Sequence, residues 1–398
     1  MNNKIIPVFD GEYVSNEEKY LVDAVRSGII SSQGKYVNKF EEGFSKYLNC
    51  DYGITVANGT VALETAYFSI GIQKGDEIIM PSFTIISCAI GAIRLGAIPV
   101  FVDVDSETWC IDVNKIESKI TSKTKAILAV HMYGHPCDMD PILLLAKKYN
   151  LIVIEDASQV HGGEYKGLKC GSIGDISTFS FYANKIISTG EGGMVVTSNE
   201  KYANRSRDFR NLCFLPNKRF YHLDLGNNYR MGNLQAAVGL AQLEILEKSV
   251  ETKIKNGLIY RNLLSKINHV QTQTELKYAK MVYWMYCIVL SDELNFNAVD
   301  VSAVLKERYN IITRPFFIGL HEQPVLKQYL KTNKFKQVLK QYLKTNKFKQ
   351  VSDDLKVTEK ISRKGLYLPS GFNLKIEDIE YICESLNKTI KYLKKIHD

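Results

Sequence analysis

In the stretch FSFYANKIISTGEGG, Phe179–Gly193, a single lysine, Lys185, stands between an aromatic strand-like run and a cluster of glycines. An ammonium is costly to bury without a partner. Lys185 therefore either snorkels out past Phe179, Phe181 and Tyr182 or is kept neutral for chemistry. Ser180 lies on the strand before it, and Gly190, Gly192 and Gly193 let the backbone turn tightly behind it. Upstream, Glu155 and Asp156 end an apolar run in VIEDASQVHGG. A carboxylate there needs a cationic or hydrogen-bonding partner, so it either pairs a structural arginine or holds a protonated ring nitrogen. Gln159, three residues on, is placed to bond the same ligand. In ANGTVALETA, Gly59 and Thr60 fall between a strand and a helix, where free N–H groups, a glycine and a hydroxyl suit a phosphate. The same residues also read as an ordinary helix start with Thr60 as its cap. In DLGNNYRMGN, Asn227, Asn228 and Arg230 read as a cap, a turn or a contact to a neighbouring subunit.

A phosphate cradle, a carboxylate for a pyridine nitrogen and a lysine able to form an imine are together what pyridoxal phosphate requires. The competing motifs are missing: the sequence has no GxxxxGK[ST] loop, no GxGxxG opening a βαβ unit and no HExxH. No metal site is expected.

These groups need strand ends to hold them. The short β-branched runs at 52–58, 77–82, 98–104, 126–132, 151–157, 176–182 and 193–198 read as strands, with helical segments such as 60–70, 85–95 and 138–149 between them. Strand and helix in alternation imply an α/β fold with a largely parallel sheet and helices on its faces. The candidate residues then sit where open sheets gather ligands. NLQAAVGLAQLEILEK sets Leu234, Val238, Ala241 and Ile245 at helical spacing, predicting one long helix that leads into a smaller part. The expected division is a large domain over 1–250 and a small α+β domain over 251–398, the latter with a strand at 284–290.

The net charge of +8 points to no nucleic-acid partner, because LKQYLKTNKFKQV at 326–338 recurs letter for letter at 339–351. Those copies carry eight lysines and no acid, and the rest of the chain is balanced. Leu326, Tyr329 and Leu330 share a helix face, but 13 residues do not close whole turns, so the duplication reads as a surface insertion rather than a core element. The eight cysteines are scattered without a CxxC pair, and the start lacks a secretion signal. No apolar stretch is long enough to span a membrane. A reducing, cytoplasmic setting is expected.

From IPVFDGEYVSNEE to GLYLPSG the chain resembles the DegT group of fold-type-I, pyridoxal-phosphate-dependent nucleotide-sugar aminotransferases. The resemblance implies that Lys185 binds the cofactor covalently, that Asp156 faces the pyridine nitrogen and that Gln159 contacts the ring hydroxyl. It assigns Gly59, Thr60 and Ser180 to the phosphate, and Asn228 to the phosphate held by the other subunit of a homodimer with shared active sites. Related sugar dehydratases carry histidine at the position of Lys185, so the lysine implies amino transfer. Ile85 stands where the family usually stacks an aromatic on the cofactor ring, and Asn227 replaces a usual tyrosine. RFYHLDLGNNYRMGNLQAAVGLAQLE and RPFFIGLHEQPVL are similar to the subgroup that aminates C4 of nucleotide-diphospho-4-keto-6-deoxyhexoses, as perosamine- and viosamine-forming enzymes do, with glutamate as donor. Amination at C3 of a 3-keto sugar nucleotide and a non-catalytic cofactor-binding regulator are the alternatives.

Overall fold

The structure is a computed structural model that describes residues 5–215, 217–331 and 355–397, the side chains of 219 and 328–331 excepted. Seven strands build the main sheet: β1 (Tyr52–Val56), β2 (Glu77–Pro81), β3 (Ile98–Val102), β4 (Thr124–Val130), β5 (Ile152–Asp156), β6 (Ile176–Ser180) and β7 (Gly193–Thr197). Their order is β1-β7-β6-β5-β4-β2-β3. Every neighbouring pair is parallel except those of β7, which runs antiparallel to both β1 and β6. All seven expected strands are present, and all stop one or two residues early. The residues after β1, β2, β5 and β6 leave the ladder to form the loops that carry the candidate site.

The strands are buried along nearly their whole length, as a sheet covered on both faces must be. Helix Gly59–Ser69 lies against β6 and β7, and helix Met139–Tyr149 against β4 and β5. Helix Gly59–Ser69 is buried almost all round, which matches its place inside the core rather than on the surface.

The long helix expected after residue 232 is two helices, Asn233–Glu244 and Leu246–Leu264. The break is at Ile245 (φ −111°, ψ 7°), outside helical geometry, and Leu246 is buried just beyond it. The second helix runs on past residue 250 toward a second core that gathers Ile288, Leu290, Val301, Leu366, Ile382 and Leu386. A four-stranded antiparallel sheet backs this core, in the order Val270–Thr272, Tyr286–Leu290, Gly365–Leu368, Arg314–Pro315. Ile6, from the other end of the chain, bridges to Ile311 and is buried in the same core. The strand expected at 284–290 begins only at Tyr286, so Trp284 stands in the turn before it.

The duplication reads differently at its first residue. Helix Pro324–Lys331 contains the start of the first copy, and Leu326 is 3% exposed within the main core, so that residue is core rather than surface. The remainder, from 332 through 351, lies outside the described residues. Among those described, no helix is long and apolar enough to cross a membrane, and all eight cysteines are free thiols.

Candidate active site

The ends of β1, β7 and β6 come together by register: Val56 pairs with Gly193, and Gly193 with Ser180. Helix Gly59–Ser69 starts at this junction. Its cap is Asn58, not Thr60: the Asn58 side chain accepts the Val61 N–H at 3.0 Å, and the Ala62 N–H begins the helical series to the Asn58 carbonyl. Gly59 and Thr60 are thus the first two helical residues, and their N–H groups open toward whatever sits at the helix start. Two close approaches make the cradle. A Cβ on Gly59 would lie 2.7 Å from the Ser180 Cβ, and one on Gly193 would lie 2.5 Å from the Asn58 carbonyl oxygen. Only glycine allows these backbones to converge. The Thr60 hydroxyl meets the Ser87 hydroxyl at 2.8 Å, adding a second hydroxyl that the sequence reading did not single out.

Strand alternation separates the two acids. Glu155 points into the protein, where its carboxylate accepts from His131 Nε2 at 2.9 Å and from the N–H groups of Gly171, Ile173 and Gly174 at 2.6–2.7 Å. Burial pushes its pKa up, but the hydrogen bond from His131 and the backbone donors outweigh it and hold the carboxyl below its usual range. Glu155 is therefore a satisfied structural group. Asp156, next along, is almost fully buried yet only lightly bonded, by the Ser158 N–H at 3.1 Å and the Cys88 thiol at 3.4 Å. It is the carboxylate with capacity left for a ligand donor.

Residues 84–88 link the two groups. Ser87 meets Thr60, Cys88 meets Asp156, and Thr84 meets the Cys88 thiol at 3.4 Å. Ile85 lies on the same loop and is 38% exposed, an apolar side chain left uncovered beside polar ones.

Gln159 is oriented by the backbone of Tyr133, whose N–H donates to its Oε1 at 2.8 Å and so leaves the amide N–H₂ to donate elsewhere. Tyr133 has φ +53°, a strained value for an aromatic residue, and is fully buried. Its ring stacks on that of Trp284, with centroids 6.1 Å apart.

Lys185 does not snorkel. It is 8% exposed, its Nζ lies 3.7 Å from the centroid of the Trp284 ring, and the Trp284 indole N–H donates to the Asn184 carbonyl at 2.7 Å. Burial lowers its pKa to about 7, with Asp156 pulling weakly the other way. His161, buried among Phe44, Phe179 and Phe181, is held neutral, its pKa lowered to about 3 first by burial and then by Lys185. A near-neutral lysine amine at neutral pH is a nucleophile and a base.

The Asn228 segment adjoins the end of β1, where the Tyr229 carbonyl accepts the Ala57 N–H at 2.7 Å. The Asn228 side chain is exposed and accepts from Arg230 Nε at 3.0 Å, and Arg230 in turn donates to Asn211 at 2.7 Å. Asn227 makes backbone bonds to Phe209 and Leu212.

The structure thus brings Gly59 and Ser180 together with Thr60 next in the helix, ties Asp156 to them through the loop that carries Ile85, and sets Gln159 and Lys185 against the stacked Tyr133 and Trp284. Sequence reading missed Asn58, Ser87, Cys88, Tyr133 and Trp284. Of these Asn58, a good helix cap, and Trp284, one of two tryptophans in the chain, carried a signal.

The fit to pyridoxal phosphate is specific: a helix start narrowed by Gly59 and Gly193, an under-bonded buried aspartate, and a buried lysine of lowered pKa. The chain belongs to the DegT/DnrJ/EryC1/StrS aminotransferase family, whose pattern matches residues 12–342. It is 39% identical over 391 residues to GDP-perosamine synthase of Escherichia coli O157:H7, covering 97% of this chain and 98% of that one. It is 37% identical over 385 residues to GDP-perosamine synthase of Caulobacter vibrioides, covering 96% and 97%. Among solved structures it superposes with a TM-score of 0.82 and 28% identity on ntda from Bacillus subtilis with bound cofactor PMP, covering 98% of this chain and 86% of that one. The protein is a pyridoxal-phosphate-dependent aminotransferase of α/β fold.

Proposed function

We propose that the enzyme moves an amino group from an amino acid, with L-glutamate the expected donor, to C4 of a nucleotide-diphospho-4-keto-6-deoxyhexose. The product is a 4-amino-4,6-dideoxy sugar nucleotide of the perosamine type. The observation that carries this reading is the near-complete coverage of GDP-perosamine synthases at 37–39% identity by a chain whose lysine is buried and near-neutral.

When bound, pyridoxal phosphate supplies an aldehyde to which amino groups add and a ring that accepts electrons when a C–H bond next to nitrogen breaks. Asp156 would face the ring nitrogen and favour its protonated form. Gln159 would donate its amide N–H to the ring hydroxyl. Gly59 and Thr60 N–H, with the Thr60 and Ser180 hydroxyls, would hold the phosphate. Ile85 would cover the ring by apolar contact alone. Lys185, with a pKa of about 7, takes the proton from the donor's α-carbon and returns one to C4 of the sugar.

The assembly we infer is a homodimer with shared sites, in which Asn228 reaches the partner's phosphate. It is supported by the exposed apolar side chains just before Asn228: Leu223 and Leu225 are 75% and 90% exposed, an arrangement suited to a second copy of the chain. The chain divides near residue 250 into a large cofactor-binding part and a small part that covers it, and its setting is cytoplasmic.

The test is to incubate the purified enzyme with glutamate and GDP-, UDP- or dTDP-linked 4-keto-6-deoxyhexose, beside a 3-keto sugar nucleotide. Amination at C4, with the GDP sugar preferred, is expected. Amination at C3 only, or bound cofactor with no conversion by glutamate, overturns the reading.

A further inference from the structure

The molecule buries a second lysine that the proposed chemistry does not use. Lys253, on helix Leu246–Leu264, is 2% exposed, and its Nζ donates to the carbonyl of Trp284 at 3.1 Å and to that of Ser370. The rings of Phe9 and Phe372 flank the same nitrogen at 5.1 and 4.9 Å. Three distant segments therefore meet at one amine. Ser370 extends the junction, since its N–H donates to the Val8 carbonyl and its hydroxyl accepts the Tyr286 N–H, both at 2.8 Å.

Trp284 is thus pinned at both ends. Lys253 holds its backbone carbonyl, and Asn184, the residue before Lys185, holds its indole N–H. Between those two bonds the indole face lies over the Lys185 nitrogen. We propose that Lys253 is a positioning residue for Lys185, acting through Trp284. The proposal rests on the reading of Lys185 as the reacting lysine.

The clamp does not depend on the charge of Lys253. Burial lowers its pKa to about 7 against the pull of Asp10, but an amine has two N–H groups and an ammonium three. Either form supplies both carbonyls. A methionine at 253 would keep the length of the stem and remove both donors. The two buried carbonyls would then be left unsatisfied, a cost that favours movement of the segments carrying them. Once Trp284 is free to move, water reaches Lys185, which among the described titratable groups is coupled to Asp156 and His161 and is covered by the indole. Solvation favours the protonated nitrogen, so its titration moves upward.

The test uses the full-length holoenzyme labelled with 5-fluorotryptophan. Trp109 and Trp284 are the only tryptophans, so two fluorine resonances are expected, assigned with W284F. In K253M the Trp284 resonance should shift or broaden while that of Trp109 holds. The pH midpoint of the bound cofactor's absorbance should rise by about one unit, and kcat should fall about tenfold with little change in KM. K253R, which keeps donors for both carbonyls, should restore all three. W284F should raise the same midpoint, and K253M/W284F should add nothing further.

A residue that only stabilises the fold would lower the melting temperature of K253M and leave the resonance and the midpoint at wild-type values; that result overturns the proposal, as do additive effects in the double variant. If K253M does not fold, W284F decides alone, an unmoved midpoint refuting the role of the indole. Failure of the Lys185 reading is separable, because K185A would then retain the visible cofactor absorbance whatever the fluorine spectra show.

Discussion

Replacing Lys185 with methionine should stabilise the cofactor-free protein, and the gain should shrink as the pH rises. Burial lowers the lysine from its ordinary 10.5 to about 7, so between those values the unfolded chain binds more protons than the folded one. Stability contributed through this group therefore rises with pH across that window and is flat below it. Each pKa unit corresponds to about 1.4 kcal/mol, so the cost of burying Lys185 is roughly 4 kcal/mol at pH 7 and roughly 2 kcal/mol at pH 9. The difference of about 2 kcal/mol, spread over the unfolding entropy of a 398-residue chain, is about 2 to 3 °C in Tm. Lys253 is present in both proteins and cancels in the comparison, and His161, whose pKa of about 3 owes part of its lowering to Lys185, titrates below the window. The assay is thermal unfolding of cofactor-stripped wild type and Lys185→Met from pH 6 to 9.5. The wild-type curve should climb toward that of the variant above pH 7. Parallel curves would mean that Lys185 titrates as an ordinary solvated lysine, and the burial reasoning would fail.

The adjacent acids should separate cleanly. Glu155→Gln should cost about 3 kcal/mol or more of stability, because it sets an amide among four donors, and should flatten the acid limb below the ordinary glutamate pKa. Glu155 is held below its usual range, so its stabilisation is present above that range and is lost as the pH falls through its folded value. Asp156→Asn should leave Tm nearly unchanged and lower kcat/KM by at least about a hundredfold, measured by coupled turnover. Gly193→Ala should raise the cofactor dissociation constant about tenfold or more, about 1.4 kcal/mol, since its Cβ would press on the Asn58 carbonyl at 2.5 Å and displace the helix start; fluorescence titration of stripped enzyme checks it. Ile85→Phe should tighten cofactor binding by about 0.5 to 1.5 kcal/mol through ring stacking, read in the same titration.

The largely parallel sheet was legible because β-branched runs alternate with helical ones, and Gly59, Asp156 and Ser180 stood out as candidates because they fall at strand ends. What the one-dimensional pattern could not show was which acid faces the ligand. Glu155 and Asp156 are neighbours in sequence, and only the strand's alternation, together with the donors of 171–174 and His131, sends one into the fold and the other into the site. The cap moved from Thr60 to Asn58 for a similar reason: both are good caps, and the choice is set by where β1 ends. Trp284 and Lys253 lie far from Lys185 in the chain, and only the fold brings the Trp284 ring over Lys185 and Lys253 onto the Trp284 carbonyl. The break at Ile245 has no proline or glycine to announce it. Leu326 shows that part of a repeat can be core even when the repeat as a whole reads as an insertion.

The most direct test of the account is where the cofactor attaches. Holoenzyme reduced with borohydride and digested should give one peptide carrying a pyridoxyl group, and fragmentation should place it on Lys185. A label on Lys253 or any other lysine, or a Lys185→Ala enzyme that still turns over, would contradict it.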